Sequence, residues 1–112
     1  MPGIWPPVTI GERRFMDGGM RTIANAGLAH GYERVVILAP VAAGTGFMAS
    51  PRRQASALKA AGARVALVRP DWASARAIGR NVLDVSHRTA AAKAGHTQAG
   101  AEGPTVRAVW QI

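Results

Sequence analysis

Cysteine is absent from the 112-residue chain, which excludes both a disulfide framework and a thiolate metal site. A reducing, cytoplasmic compartment is therefore expected. Aromatic side chains make up only 5% of the residues, although 48% are apolar. Much of the apolar content is thus alanine, which buries little area per residue. No run approaches the roughly 18 apolar residues of a membrane span, and the opening MPGIWPPVTIG lacks the charged start and apolar run of a secretory signal. Histidines are few, and His30, His87 and His96 show no ligand spacing, so neither a metal nor another cofactor is expected.

Acidic residues are also scarce: six, against twelve arginines and two lysines, for a net charge of +8. The basic residues stand singly or in pairs (Arg13-Arg14, Arg52-Arg53), with no run of five and no interleaved aromatics. That pattern suits a solvated surface and argues against a nucleic-acid partner. Weak peripheral contact with anionic lipid headgroups is compatible with the charge.

What is present reads as a mixed α/β chain. Val8-Thr9-Ile10, Gly11-Glu12 and Arg13-Arg14-Phe15-Met16 form a hairpin pattern, with glycine first in a two-residue turn, as type II′ requires. Trp5-Pro6-Pro7 before it must be extended. Asp17-Gly18-Gly19 closes the second strand, and an alanine-rich helix is expected over residues 22–30, ended by Gly31. Residues 34–39, RVVILA, and 64–68, RVALV, are apolar runs suited to buried parallel strands. Between them Ser50-Pro51 opens a helix that carries Ala55, Leu58 and Ala61 to Gly62, completing a right-handed βαβ unit. Asp71 caps a short helix over residues 72–79, and Asp84 caps a longer one to about Gly100. Gly103-Pro104 should break that helix, with residues 99–104 as a linker, before Val106, Val109 and Trp110 resume an apolar helical face. Trp5, Trp72 and Trp110 are expected in the core.

Several motifs carry chemistry. Gly44-Thr45-Gly46-Phe47-Met48-Ala49 fits G-x-G-x-x-A, and Asp71 comes after the next strand where a ribose-binding acid would stand, which makes a nucleotide-binding module one reading. Pro40 to Ala43 intervene between strand and first glycine, whereas the fingerprint needs a tight turn against the helix N-terminus. Ser86-His87 does not form a nucleophile and base, because adjacent helical residues point about 100° apart. None of Ser50, Ser56, Ser74 and Ser86 lies in G-x-S-x-G. A non-catalytic partner that offers an open sheet edge is a further reading. Asp17 has two: a turn or capping residue, or a functional carboxylate at a strand end, where Gly18 and Gly19 permit close approach of backbone and substrate.

The segment from Pro2 to Pro40 resembles the C-terminal half of a bacterial patatin-like phospholipase. The matching residues are Pro2-Gly3, Pro6-Pro7-Val8, the hairpin into Asp17-Gly18-Gly19, then Asn25-Ala26, Leu28-Ala29 and Gly31. Ala60-Ala61-Gly62-Ala63, Val65, Pro70-Asp71, Gly79-Arg80-Asn81, Leu83-Asp84, Arg88 and Ala94-Gly95 extend the resemblance along nearly the whole chain. It implies a partial three-layer patatin-like α/β fold, with residues 1–112 as the C-terminal portion of one domain. It also implies a lipid acyl hydrolase with a Ser-Asp dyad, in which Asp17 is the dyad carboxylate and Gly18 and Gly19 its supporting turn. Such a carboxylate must lie within about 2.6–3.2 Å of the serine hydroxyl it deprotonates, and Arg13, Arg14 or Arg21 could help keep it ionised. The family's glycine-rich oxyanion loop and G-x-S-x-G serine have no counterpart in this sequence. The expectation is therefore that Met1 lies inside an ancestral domain, through a truncated gene, a misplaced start or a split reading frame, and that the chain is inactive alone; an N-terminal half on another chain is one possible source of the serine for a lipid or acyl ester substrate. Where the family reads Asn-Ala-Asp-Leu-Ala, this chain has Gly27 in place of the acid.

Overall fold

A computed structural model describes residues 5–41 and 49–111. The chain forms a mixed α/β structure of two small two-stranded sheets and three α-helices. β1 (Val8–Ile10) pairs antiparallel with β2 (Arg13–Phe15), Ile10 opposite Arg13, so two residues make the turn. Gly11 has φ +62 while Glu12 stays at negative φ, which is the type II′ pattern read from the sequence.

β3 (Arg34–Leu38) and β4 (Arg64–Val68) pair in parallel, Arg34 opposite Arg64 through Leu38 opposite Val68. α1 (Pro51–Ala60) connects them. Its start is built as the sequence implies: Ser50 Oγ accepts from the Arg53 N–H at 3.3 Å, and Pro51 occupies the first turn, where its missing N–H costs nothing. Val35, Ile37 and Ala39 alternate onto one sheet face and pack with Ala55 and Leu58 of α1 and with Ala26. The opposite face carries Val36, Leu38, Ala66 and Val68 by the same alternation, and α3 (Arg88–Trp110) contacts both strands. α2 (Trp72–Ile78) packs along α3. Asp71 caps it, Oδ1 accepting from the Ser74 N–H at 2.7 Å.

Four expectations are corrected. Residues 22–30 do not form an α-helix; only Ala26–Ala29 make a short 3-10 turn, for reasons that lie in Thr22 and Asn25. Asp84 caps a 3-10 turn, Val85–His87, and the long helix starts after it at Arg88. α3 then runs through Gly103-Pro104 without a break or a linker. The helix is anchored at its middle and at its C-terminal end: Gln98 is buried against the loop after β4, and the Arg64 guanidinium donates to the carbonyls of Ala108 and Gln111. These contacts override the local cost of the proline. The three tryptophans are not core residues. Trp5, Trp72 and Trp110 are 62%, 75% and 53% exposed; α2 turns Ser74 inward, and α3 turns Gln98 and Val109 inward, in place of their tryptophans.

Pro104 removes one helical hydrogen bond and crowds the carbonyl four residues back. Pro104→Ala should therefore raise the stability by up to about 3 kcal/mol, seen as a higher Tm; an unchanged Tm would mean that the helix does not run through residue 104. Asp84 supplies a pH test. Hydrogen bonds from Ser86, and to a lesser degree the electrostatic attraction of His87, hold its carboxyl below the ordinary value of 3.8. A depressed carboxyl stabilises the fold above its unfolded value and loses that contribution as pH falls through the folded value. The Ser86 amide resonance should shift with a midpoint below pH 3.8, and Asp84→Asn should abolish the shift.

Candidate functional site

The Asp17 turn is assembled from backbone outward. β2 ends at Phe15, and Asp17 comes two residues later in an extended conformation, φ −55 and ψ 124. Its Oδ1 accepts from the Gly19 N–H at 2.8 Å. A single 3-10 turn, Gly18–Met20, is closed by the Met20 N–H on the Asp17 carbonyl and the Arg21 N–H on that of Gly18, each at 3.1 Å. Asp17, Gly18 and Gly19 are all exposed. Asp17 thus caps its turn, as one of its two readings proposes, and the same bond fixes the direction of the carboxylate.

Neither glycine adopts positive φ, and only at Gly19 is space for a side chain short. A Cβ on Gly19 would lie 3.2 Å from Asp17 Oδ1, and one on Gly18 would lie 3.4 Å from Asn25 Nδ2. The first of these is tighter than ordinary van der Waals contact and would require the carboxylate to shift by a few tenths of an ångström.

Three residues outside the motif hold the turn. Asn25 sits in the left-handed region, φ 47 and ψ 27, one that asparagine tolerates better than most side chains. Its Nδ2 donates to the carbonyls of Gly18 at 2.8 Å and Thr22 at 2.9 Å. Its N–H donates to Thr22 Oγ1 at 2.8 Å, and the same oxygen accepts from Gln54 Nε2 of α1 at 3.0 Å. The carboxylate turn is thereby tied to the βαβ unit through one hydroxyl. These bonds also explain the lost helix: Thr22 and Asn25 offer the backbone partners that an α-helix would have to displace. A threonine three residues before an asparagine is the available signal; the alanines around it point the other way.

Among the described residues, Asp17 accepts no other hydrogen bond and forms no ion pair, so Arg13, Arg14 and Arg21 do not clamp it. The Arg13 guanidinium lies instead 5.5 Å from the Phe15 ring centroid. No serine hydroxyl bonds to Asp17 within the described residues. Ser50 is the α1 cap, Ser74 is buried, and Ser86 donates its N–H to Asp84 at 2.9 Å. His87 directs Nδ1 to the Ala77 carbonyl at 3.0 Å and does not pair with Ser86.

Gly44 to Met48 of the G-x-G-x-x-A stretch fall outside the described residues. Asp71 has one carboxylate oxygen committed to the α2 cap, and its N–H donates to Gln98 Oε1 at 3.1 Å. Among the described residues no three His, Asp or Glu side chains gather as metal ligands, and no helix is long and apolar enough to cross a membrane.

Comparison with protein-family models, curated proteins and solved structures finds no match to this chain.

Asn25→Ala removes two side-chain bonds and puts alanine at positive φ, which should cost about 1–3 kcal/mol. Asn25→Gly keeps the backbone and loses only the bonds, so it should cost less. Amide hydrogen exchange at Gly19 and Met20 should accelerate in the order wild type, Gly, Ala; equal protection in all three would show that Asn25 does not hold the turn.

Proposed function

We propose that this chain supplies the general-base aspartate, Asp17, of a patatin-like lipid acyl hydrolase whose serine and oxyanion donors lie outside these 112 residues. The observation that carries the proposal is a fixed, exposed carboxylate at the end of a hairpin whose apolar face is uncovered. Cross-strand partners point to the same side of a ribbon, so Val8, Ile10 and Phe15 share one face. They are 59%, 63% and 43% exposed. A two-stranded hairpin of this length is marginal without a covering layer, and a serine-bearing half seated on this face would stand beside Asp17.

Surface area supports the same reading. The chain exposes 8583 Å², whereas a folded monomer of its mass exposes about 5,900 Å². Exposed Leu38, Trp72 and Val85 add to that excess, and among the described residues no further strand pairs with either edge of the β3–β4 pair. In the assembled site Asp17 Oδ2, which accepts no hydrogen bond among the described residues, would take the serine proton while Oδ1 stays on the Gly19 N–H. The serine oxygen then attacks the ester carbonyl, the acyl group passes to the serine, and the alcohol leaves with that proton. Water hydrolyses the acyl-enzyme in a second step assisted by the same carboxylate.

A fluorophosphonate probe and a nitrophenyl ester test the proposal. The chain alone should show no turnover and no labelling. Mixed with a separately produced half domain of a patatin-like hydrolase that bears G-x-S-x-G, it should restore labelling of that serine and ester hydrolysis. Asp17→Asn should lower the rate of the mixture by about 10²–10⁴ while leaving association intact. Turnover by the chain alone, or a mixture indifferent to Asp17→Asn, would overturn the proposal.

A further inference from the structure

Two depressions that share no residue with the Asp17 turn meet on the β4 side of the sheet. The first is a groove of about 440 Å³ at the carboxyl ends of β3 and β4, walled by Leu38, Val68, Ile78 and Ala99. Carboxyl ends of parallel strands are where α/β sheets receive ligands. Ser74 lies in its wall, only 4% exposed, and its Oγ has no hydrogen-bond partner among the described residues. The second is a cleft of about 490 Å³ between α1 and the segment after β4. Arg52, Ser56 and Lys59 line it, and their spacing of four and three puts them on one helical stripe.

Arg69, Pro70 and Glu102 line both depressions. Arg69 is therefore the junction. Its carbonyl is fixed by Gln98 Nε2 at 2.6 Å, while its Nε is buried and has no partner among the described residues. A buried donor without a partner is costly, and a guanidinium is matched best by a carboxylate or phosphate. Three cations, Arg52, Lys59 and Arg69, face one carboxylate, Glu102, which itself accepts from Gln98 Nε2 at 3.4 Å. The balance favours an anion. The groove beyond Arg69 favours hydrocarbon, and each depression has the size of a small-ligand site.

We infer that the joined grooves bind an amphiphile with one hydrocarbon chain and an anionic head. The chain lies between Leu38, Val68, Ile78 and Ala99, and the head sits on Arg69 with the Ser74 hydroxyl beside the path between them. Arg52 and Lys59 strengthen the local positive potential, and Glu102 opposes it. The inference uses no atom of the Asp17 turn and stands apart from the hydrolase proposal.

Calorimetric titration of the full chain tests it, with decanoate, decyl phosphate, decanol and decyltrimethylammonium, each below its micellar concentration. Decanoate, decyl phosphate or both should give saturable heat, and their ratio tells whether a carboxylate or a phosphate head is preferred. Decanol and the cation should bind about tenfold more weakly or worse. Arg69→Gln should weaken anion binding about tenfold, Glu102→Gln should tighten it, Ala99→Trp should abolish it by filling the groove, and Asp17→Asn should leave it unchanged. Equal affinity for all four compounds would overturn the inference. So would acetate binding as tightly as decanoate, or undiminished affinity in Arg69→Gln with an unaltered circular dichroism spectrum; that variant keeps the main-chain bond to Gln98, so it tests the site even if Ala99→Trp does not fold.

Discussion

Parallel pairing of Arg34–Leu38 with Arg64–Val68 is the contact on which the other elements lean. Two parallel strands cannot be joined by a tight turn, so their pairing demands a crossover, and α1 supplies it. Once α1 lies across the pair, Val35, Ile37 and Ala39 have Ala55 and Leu58 to pack against. The ladder extends one residue beyond β3 at each end, from the Arg64 N–H to the Glu33 carbonyl at 2.8 Å and from the Ala39 N–H to that of Val68 at 2.9 Å. A core built from so many alanines leaves little margin. It is this scarcity of large buried side chains that makes polar anchors such as Gln98 and Arg64 matter to the placement of α3.

The Asp17 turn is tied to that unit by a chain of hydrogen bonds, beside the packing of Ala26 into the core. Gly18 is held by Asn25, Asn25 by Thr22, and Thr22 by Gln54 on α1. Each link is a directional bond between groups at least partly open to solvent, so each is modest in net energy. Together they set an orientation that the hairpin, exposed on both strands, could not set by burial. A carboxylate that must meet a hydroxyl within hydrogen-bond reach needs orientation more than it needs burial.

Elements governed by local chemistry were legible in the sequence. The Gly11-Glu12 turn, the Ser50-Pro51 helix start and the Asp71 cap arise from residues that are neighbours in the chain, and both parallel strands arise from their apolar runs. Elements decided at longer range were not. Alanine-rich residues 22–30 favour a helix, but Thr22 and Asn25 bond each other instead, and the Gln54 side chain, far along the chain, adds a second donor to the Thr22 hydroxyl. Gly103-Pro104 reads as a break until Arg64, on a different element, grips the last carbonyls of α3. The tryptophans failed for a related reason: aromatic content predicts burial only where a second layer exists to receive it, and among the described residues α2 and the hairpin have none on those sides. For the candidate site, Asp17, Gly18 and Gly19 stand out in the sequence, while Asn25, Thr22 and Gln54, which position them, do not.

Half of the chain's six acids do the same structural job. Asp17, Asp71 and Asp84 each accept a backbone N–H from a residue two or three positions on, at 2.8, 2.7 and 2.9 Å. In so basic a chain, aspartate is placed where short acceptor geometry is required and not to balance charge. Capping therefore cannot by itself mark Asp17 as functional. The element beyond each cap separates it from the other two. Asp71 opens a seven-residue helix and Asp84 a turn that runs directly into α3. Asp17 opens a single 3-10 turn that leads to no helix, and a second network holds that turn in place. A cap without a helix to begin, braced from a neighbouring element, fixes the direction of the carboxylate without starting a longer element.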